Sequence, residues 1–222
     1  MKMTSEQLLM EGMRRIGIAN IKVDLFLLYA DLLSRWGERV NLSSLLSDRD
    51  IIIKHMIDSL TVAEFIPQGS RVLDIGTGAG FPGIPLYIND PSLEVTLLES
   101  AGKKVAFLKE VKRSLGLRGI RVYRSRGEKV SREMRGTFDR VTFRALGSMD
   151  TIMTLGTPYL DIGGNMVIMK GPRGIEEWED YAGRNSEDIE LLCIKQMELP
   201  FSGDRRVVIL AKPTFRRMET EN

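Results

Sequence analysis

Residues 73–86, "LDIGTGAGFPGIPL", restrict the possible folds of this chain more than any other stretch. An apolar run ends around Asp74, and Gly76, Gly78, Gly80 and Gly83 follow, interleaved with Pro82 and Pro85. A strand passing through a glycine-rich turn into a helix sets main-chain N–H groups above the C-terminal edge of a sheet, where open α/β folds hold ligands. A turn that merely needed flexibility would not call for so many glycines. The loop lets backbone come close to something, and the sequence restricts what that is.

A literal G-x-G-x-x-G occurs at Gly78, Gly80 and Gly83, the pattern of a dinucleotide site. Three details oppose that reading. The match begins four residues after Asp74 rather than directly after the strand. Pro82 and Pro85 remove N–H donors that a pyrophosphate would use at the helix start. Asp74 itself would repel a phosphate. The frame Asp74-x-Gly76-x-Gly78-x-Gly80 resembles instead the cofactor loop of class I S-adenosylmethionine methyltransferases. That cofactor has an amine, a sulfonium and a ribose but no phosphate, so an acid beside it is favourable. Glu99 closes the next strand 19 residues after Gly80, where a carboxylate can accept both ribose hydroxyls; NAD would use it equally.

Apolar periodicity supports an α/β architecture. Strands are expected at 71–76, 94–100, 120–125, 138–144 and 165–170, with helical segments between them, notably 103–117. After an acidic helical stretch, 191–199 and 205–213 read as strands joined by a hairpin turn. The first third reads as helical. Thr4 and Gln7 resemble a capping box, and Leu8, Leu9, Met13 and Ile16 follow at helical spacing. Val23, Phe26, Leu27, Ala30 and Leu33 form a second stripe ending near Gly37. A third helix is opened by Ser47 or Asp48 and runs to about residue 65. The expected fold is thus a class I methyltransferase, Rossmann-like sheet, mostly parallel with the last strand antiparallel. Residues 1–66 form a small N-terminal helical region and residues 67–222 the methyltransferase domain.

Cys193 is the only cysteine, which excludes an internal disulfide and any cysteine-rich metal site; no metal is expected. No apolar run is long enough to span a bilayer and the N-terminus lacks a signal-peptide pattern, so a cytoplasmic location is expected. Net charge is +2, yet residues 101–144 carry 14 Lys and Arg against 4 Asp and Glu. Arg118, Arg121, Arg124 and Arg126 bunch around one strand, as a polyanion-binding surface would have it, although solvated helix faces are also Lys-rich.

"WGERVNLSS", "KHMIDSL", "DIGTGAGFPGIPL", "LLESAGKKVAFL", "SRGE", "FRAL", "MKG" and "GDRRVVI" occur in this order. In this the chain resembles the RsmG family (glucose-inhibited division protein B), bacterial 16S rRNA guanine-N7 methyltransferases, from about Trp36 to Lys212. Two departures are "NLSS", where the family usually has Asn-Leu-Thr, and Gly127, where alanine or valine is common. The resemblance implies S-adenosylmethionine as cofactor, held by Gly76, Phe81, Glu99, Gly127, Glu128 and Arg144. From the loop frame, Asp74, Gly78 and Gly80 are also expected to bind it, with Asp74 beside the cofactor. It implies 16S rRNA in the small ribosomal subunit as partner, with no DNA or membrane; a monomer is expected. Arg144 stands where many base methyltransferases carry an Asn-Pro-Pro-aromatic motif, and "FRAL" is not that motif. Guanine N7 needs no such device, since its lone pair points outward in the ring plane and no proton leaves. Catalysis is then alignment, with Arg144, Arg126, Arg205 and His55 as the candidate alignment and substrate-contact residues. Lys170 is expected to touch RNA. Asn41 and His55 are equally readable as a helix cap and a packed histidine. The rivals are a small-molecule methyltransferase, a non-catalytic rRNA-binding assembly factor and, less well matched, an NAD-dependent oxidoreductase.

Overall fold

Val72, Leu73 and Ile75 are buried, as a strand covered on both faces of a parallel sheet must be. They belong to β1 (Arg71–Ile75), the centre of a seven-stranded sheet ordered β3-β2-β1-β4-β5-β7-β6. The other strands are β2 (Glu94–Glu99), β3 (Ile120–Arg124), β4 (Phe138–Arg144), β5 (Leu160–Lys170), β6 (Ile189–Glu198) and β7 (Arg205–Pro213). Strands β1 to β5 pair in parallel, and β7 runs antiparallel to both β5 and β6. All the expected strands form, including the hairpin, whose turn is closed by Leu199 N–H to Asp204 O at 2.9 Å. The structure is a computed structural model describing residues 3–19, 21–40 and 47–214, with residues 38–40 described by backbone alone.

Helix α1 (Ser5–Arg15) has the expected capping box: Gln7 N–H donates to Thr4 Oγ1 at 3.2 Å and Thr4 N–H to Gln7 Oε1 at 3.0 Å. Helix α2 (Val23–Val40) continues past Gly37, which is buried in its last turns. The glycine expected to end the helix lies inside it instead. Ser47 is the cap of the next helix, its hydroxyl accepting Asp50 N–H at 3.1 Å. That helix is not uniform: α3 (Asp48–Asp50) leads into a π-helical segment (Ile51–Ile57) and then α4 (Asp58–Leu60), with a short 3-10 turn at Ala63–Phe65. A π turn widens the helix and is common at functional sites. Its apolar run of isoleucines gave the sequence no means to distinguish it from an α-helix.

Helices α5 (Gly83–Asn89) and α6 (Gly102–Ser114) cover one face of the sheet, α7 (Met149–Gly156) and α8 (Gly174–Arg184) the other. The N-terminal helices join the first face: Leu9, Met13, Phe26, Tyr29, Ile52 and Met56 share one apolar cluster with Ile84, Val95, Leu97 and Phe107. That shared burial presses α2 and the π segment against the glycine loop. Among the described residues no helix is long and apolar enough to cross a membrane.

Candidate cofactor cleft and substrate site

Gly76, Gly78 and Gly80 adopt φ of +69°, +61° and +105°, so the loop after β1 is left-handed at alternate residues. Its donors are turned inward. Gly76 and Thr77 N–H donate to Leu98 O at 2.9 and 3.3 Å, and Gly80 and Phe81 N–H to Thr77 O at 2.9 and 3.0 Å. Gly78 N–H donates to Glu99 Oε2 at 3.0 Å and Gly83 N–H to Asp74 Oδ2 at 2.9 Å. Pro82 has no N–H to offer. A pyrophosphate would find no row of main-chain donors here, in contrast to a dinucleotide loop.

Beside the loop, Ile75, Gly76, Leu98, Glu99, Arg126, Gly127, Glu128, Leu146 and Leu155 line a cleft of about 300 Å³. Glu99 keeps its place by accepting Gly78 N–H and, at 2.8 Å, Ala101 N–H. A carboxylate has about four lone-pair sites, so capacity remains for a vicinal diol. Gly127 is fixed by Tyr159 Oη, which donates to its carbonyl at 2.9 Å. Leu146 and Leu155 supply apolar walls suited to a flat ring. Of the residues expected to hold a cofactor, Gly76, Glu99, Gly127 and Glu128 meet in this cleft. Asp74, Gly78, Gly80, Phe81 and Arg144, also expected to hold it, do not line this cleft: Asp74 is fully buried, and Phe81 packs against His55 and Arg144. Arg126 stands exposed at the cleft's lip.

Asp74 is fully buried, and its Oδ2 accepts from Thr77 Oγ1 at 2.6 Å as well as from Gly83. It therefore ties the strand end to the loop and to the start of α5. Burial pushes its carboxyl up to about 6 from 3.8, against the pull of those hydrogen bonds. A folded-state value above the unfolded one means stability that is complete below about pH 4 and lost as pH rises through about 6. Asp74→Asn removes this dependence. Its urea-unfolding free energy relative to the parent chain is expected to rise by about 2–3 kcal/mol between pH 4 and pH 7. A flat difference curve would mean that Asp74 titrates normally.

A second cluster lies beyond the loop, at the end of β4. Arg144 Nη1 donates to Lys54 O at 3.2 Å and meets Asp58 Oδ2 at 3.4 Å; Nη2 contacts His55 Nδ1 at 2.6 Å. Its guanidinium also sits 5.1 Å from the Phe81 ring centroid, and His55 stacks on the same ring at 4.8 Å. A guanidinium only donates, so Nδ1 accepts, the imidazole is neutral and its proton is on Nε2. Burial first, and the charge of Arg144 second, lower the His55 pKa to about 3. Asp58 binds a second arginine, accepting Arg206 Nε at 3.0 Å. Burial raises the Asp58 carboxyl while the two arginines pull it back.

The sequence placed Arg205 in this role. Arg205 is 76% exposed and has Glu198 at 3.7 Å, whereas its neighbour Arg206 reaches Asp58. Adjacent strand residues face opposite sides, and parity is invisible until the register is known. Lys170, expected at RNA, is engaged inside the protein: Nζ donates to Gly147 O and to Glu177 Oε2, each at 2.8 Å. Cys193 is half-buried on β6 and pairs with Leu210, four residues along β7 from Arg206. Asn41 lies outside the described residues. Tyr29 was missed altogether; buried on α2, it donates to Ala79 O at 2.5 Å and braces the loop. A tyrosine within the apolar stripe of α2 was the available signal, since a buried phenol requires a partner.

A family model described as GidB, rRNA small subunit methyltransferase G, matches residues 22–208. A Ribosomal RNA small subunit methyltransferase G from Clostridium perfringens (strain 13 / Type A) is 40% identical over 163 residues, spanning 72% of this chain and 68% of that protein. Its counterpart from Geobacter metallireducens is 33% identical over 213 residues, spanning 95% of this chain and 97% of the relative. Among solved structures, a SAM dependent methyltransferase from Aquifex aeolicus is similar with a TM-score of 0.59 at 19% identity, over 77% of this chain and 96% of that one. M. jannaschii TYW2 in complex with AdoMet is similar with a TM-score of 0.55 at 19% identity, over 70% of this chain and 74% of that one. Likeness at such low identity establishes the class I methyltransferase sheet, while the sequence relatives establish the lineage. The chain belongs to the GidB family, rRNA small subunit methyltransferase G.

Proposed function

We propose that the chain transfers the methyl group of S-adenosylmethionine to N7 of one guanine in 16S rRNA of the small ribosomal subunit. The observation that carries the reading is the glycine loop in which the N–H groups of all four glycines are spent internally, next to a carboxylate-bearing cleft and a buried arginine cluster. Bound there, S-adenosylmethionine would supply a methyl carbon activated by its sulfonium. Glu99 would accept the ribose hydroxyls, and Gly127 and Glu128 would read the adenine edge.

Arg144 is the alignment residue. Held by Lys54 O, His55 and Asp58, its guanidinium has its orientation fixed before a base arrives. Donors on that fork suit guanine O6, which turns the neighbouring N7 toward the cleft. No proton leaves N7, and the histidine lone pair that might have acted as a base is already taken by Arg144. The methylated ring is cationic, so the same arginines favour its departure. Arg126, exposed at the cleft lip, and Arg205, exposed at the rim, suit RNA phosphate. Residues 1–66 serve as a helical brace that lends Tyr29, His55 and Asp58 to a catalytic unit of residues 67–222. The enzyme acts in the cytoplasm as a monomer, on ribosomal RNA rather than DNA or a membrane.

The test supplies labelled methyl donor and this protein to small subunits from a strain lacking the endogenous enzyme, then maps modified guanines by chemical cleavage. Label on one guanine supports the reading; label confined to protein or a small molecule refutes it. Arg144→Lys is expected to lower kcat/KM about a hundredfold in this assay, because an ammonium cannot bridge three acceptors in one plane. Activity within twofold of the parent would exclude the alignment role.

A further inference from the structure

Arg206 has a use that tying down Asp58 does not exhaust. Its Nε donates to Asp58 Oδ1 at 3.0 Å and its Nη1 to Arg205 O at 3.0 Å. Asp204 is 3.8 Å from Nη2, beyond hydrogen-bond reach. Most of the five guanidinium donors therefore have no hydrogen-bond partner among the described residues. They border a separate cleft of about 350 Å³ formed by Pro172, Gln196, Met197, Glu198, Arg205 and Arg206.

Charge and position both bear on what fits there. Asp58 is one buried carboxylate shared by two guanidiniums, Arg144 and Arg206, with His55 neutral beside them. Asp204, 3.8 Å from Arg206, balances the second guanidinium and Glu198 in the cleft wall faces Arg205 at 3.7 Å, so Arg206 offers the cleft free N–H donors rather than surplus charge. Along the C-terminal edge of the parallel strands, the order is cofactor cleft over β1 to β3, Arg144 at the end of β4, then Arg206 at the start of β7 and Gln196 and Met197 on β6. A polyanion whose reacting unit sits at Arg144 would run its neighbouring unit over this second cleft. Met197 and Pro172 provide apolar surface for a base, and Gln196 an amide for its edge.

Resting on the function proposed above, we propose that this second cleft is a subsite for a nucleotide flanking the methylated guanine, with Arg206 holding its phosphate. Arg206 is then a substrate-binding residue anchored to the alignment arginine through Asp58.

Methyl transfer to unmodified small subunits tests this, with KM and kcat measured over a salt series for Arg206→Gln, Arg206→Lys, Gln196→Glu and, as a control remote from both clefts, Arg184→Gln. Arg206→Gln is expected to raise KM for subunits about tenfold, leaving kcat and S-adenosylmethionine affinity within twofold. The slope of log KM against log salt should fall by about 0.7, the contribution of one single-stranded phosphate contact. Arg206→Lys should recover the slope and part of the KM. Gln196→Glu leaves the Asp58 cluster untouched and should raise KM several-fold by repelling phosphate. An unchanged KM in both Arg206→Gln and Gln196→Glu overturns the subsite, as does a loss of kcat and cofactor affinity in Arg206→Gln with no change of salt slope. If the parent chain labels no rRNA, the proposed function falls and the subsite with it. If the parent labels rRNA and these variants match it, the subsite alone falls.

Discussion

Gly80→Ala is expected to weaken S-adenosylmethionine binding at least a hundredfold by calorimetry, and to abolish methyl transfer at ordinary cofactor concentrations. Two independent penalties meet at this residue. Its φ of +105° lies in a region that side chains avoid, at a cost of about 1–3 kcal/mol. An added Cβ would also lie 2.4 Å from Ile84 Cδ1 and 2.8 Å from Tyr29 Oη. Ile84 is fully buried in the α5 contact with the sheet, and the Tyr29 hydroxyl holds Ala79 O, so neither yields without moving the loop. A shift there displaces Gly78, whose N–H fixes Glu99, and with it the carboxylate facing the ribose. Misplacement of about 1 Å is enough for losses on the order of a hundredfold. Gly17→Ala provides the comparison. It has a φ of +84° with nothing within 4 Å, so it carries backbone strain without collision and should leave cofactor affinity unchanged. Equal affinities in the two variants would mean that loop position does not govern binding.

This loop was also the most legible part of the sequence, for a physical reason. Glycines at Gly76, Gly78 and Gly80 and prolines at Pro82 and Pro85 report backbone conformation and missing donors directly, without reference to any distant residue. The structure strengthens the resulting argument against phosphate, because the N–H groups of Gly76, Thr77, Gly78, Gly80, Phe81 and Gly83 are consumed by Leu98, Thr77, Glu99 and Asp74. Strands β1, β2 and the second half of β5 were legible because parallel strands covered on both faces read as apolar runs, whereas the edge strand β3 was read from its place in the strand–helix alternation. Three features were not legible, each depending on long-range geometry. Arg205 and Arg206 differ only in which side of β7 they face. The π turn at Ile51–Ile57 needs more than apolar periodicity to reveal it, and its effect is to place Lys54 O and His55 against Arg144. The inward roles of Lys170 and Asp74 follow from how the folded loops meet them: Lys170 bonds Glu177 and Gly147, 7 and 23 residues away, and Asp74 bonds Thr77 and Gly83, 3 and 9 residues away.

Asp58→Ala is expected to cost about 3–5 kcal/mol of stability, the range for removing one partner of a buried ion pair. Arg144, Asp58 and Arg206 have side chains 17%, 6% and 23% exposed, so solvent cannot replace the lost carboxylate. Both guanidiniums would then have lost the carboxylate they share, with only Asp204, 3.8 Å from Arg206, left as a counter-charge. Urea denaturation monitored by circular dichroism should read the loss directly, with a fall in melting temperature of about 10 °C for a chain of this size. The shared carboxylate makes a sharper demand than the single variant does. Arg206→Met alone should be mild, because Asp58 keeps Arg144 as partner. Added to Asp58→Ala, it should restore about 1–2 kcal/mol, since one of two orphaned cations is gone. Additive losses in the double variant would show that the two arginines do not depend on a common acid. A loss below about 1 kcal/mol for Asp58→Ala would place the cluster in effective contact with water, and the preset orientation of Arg144 would then have no structural basis.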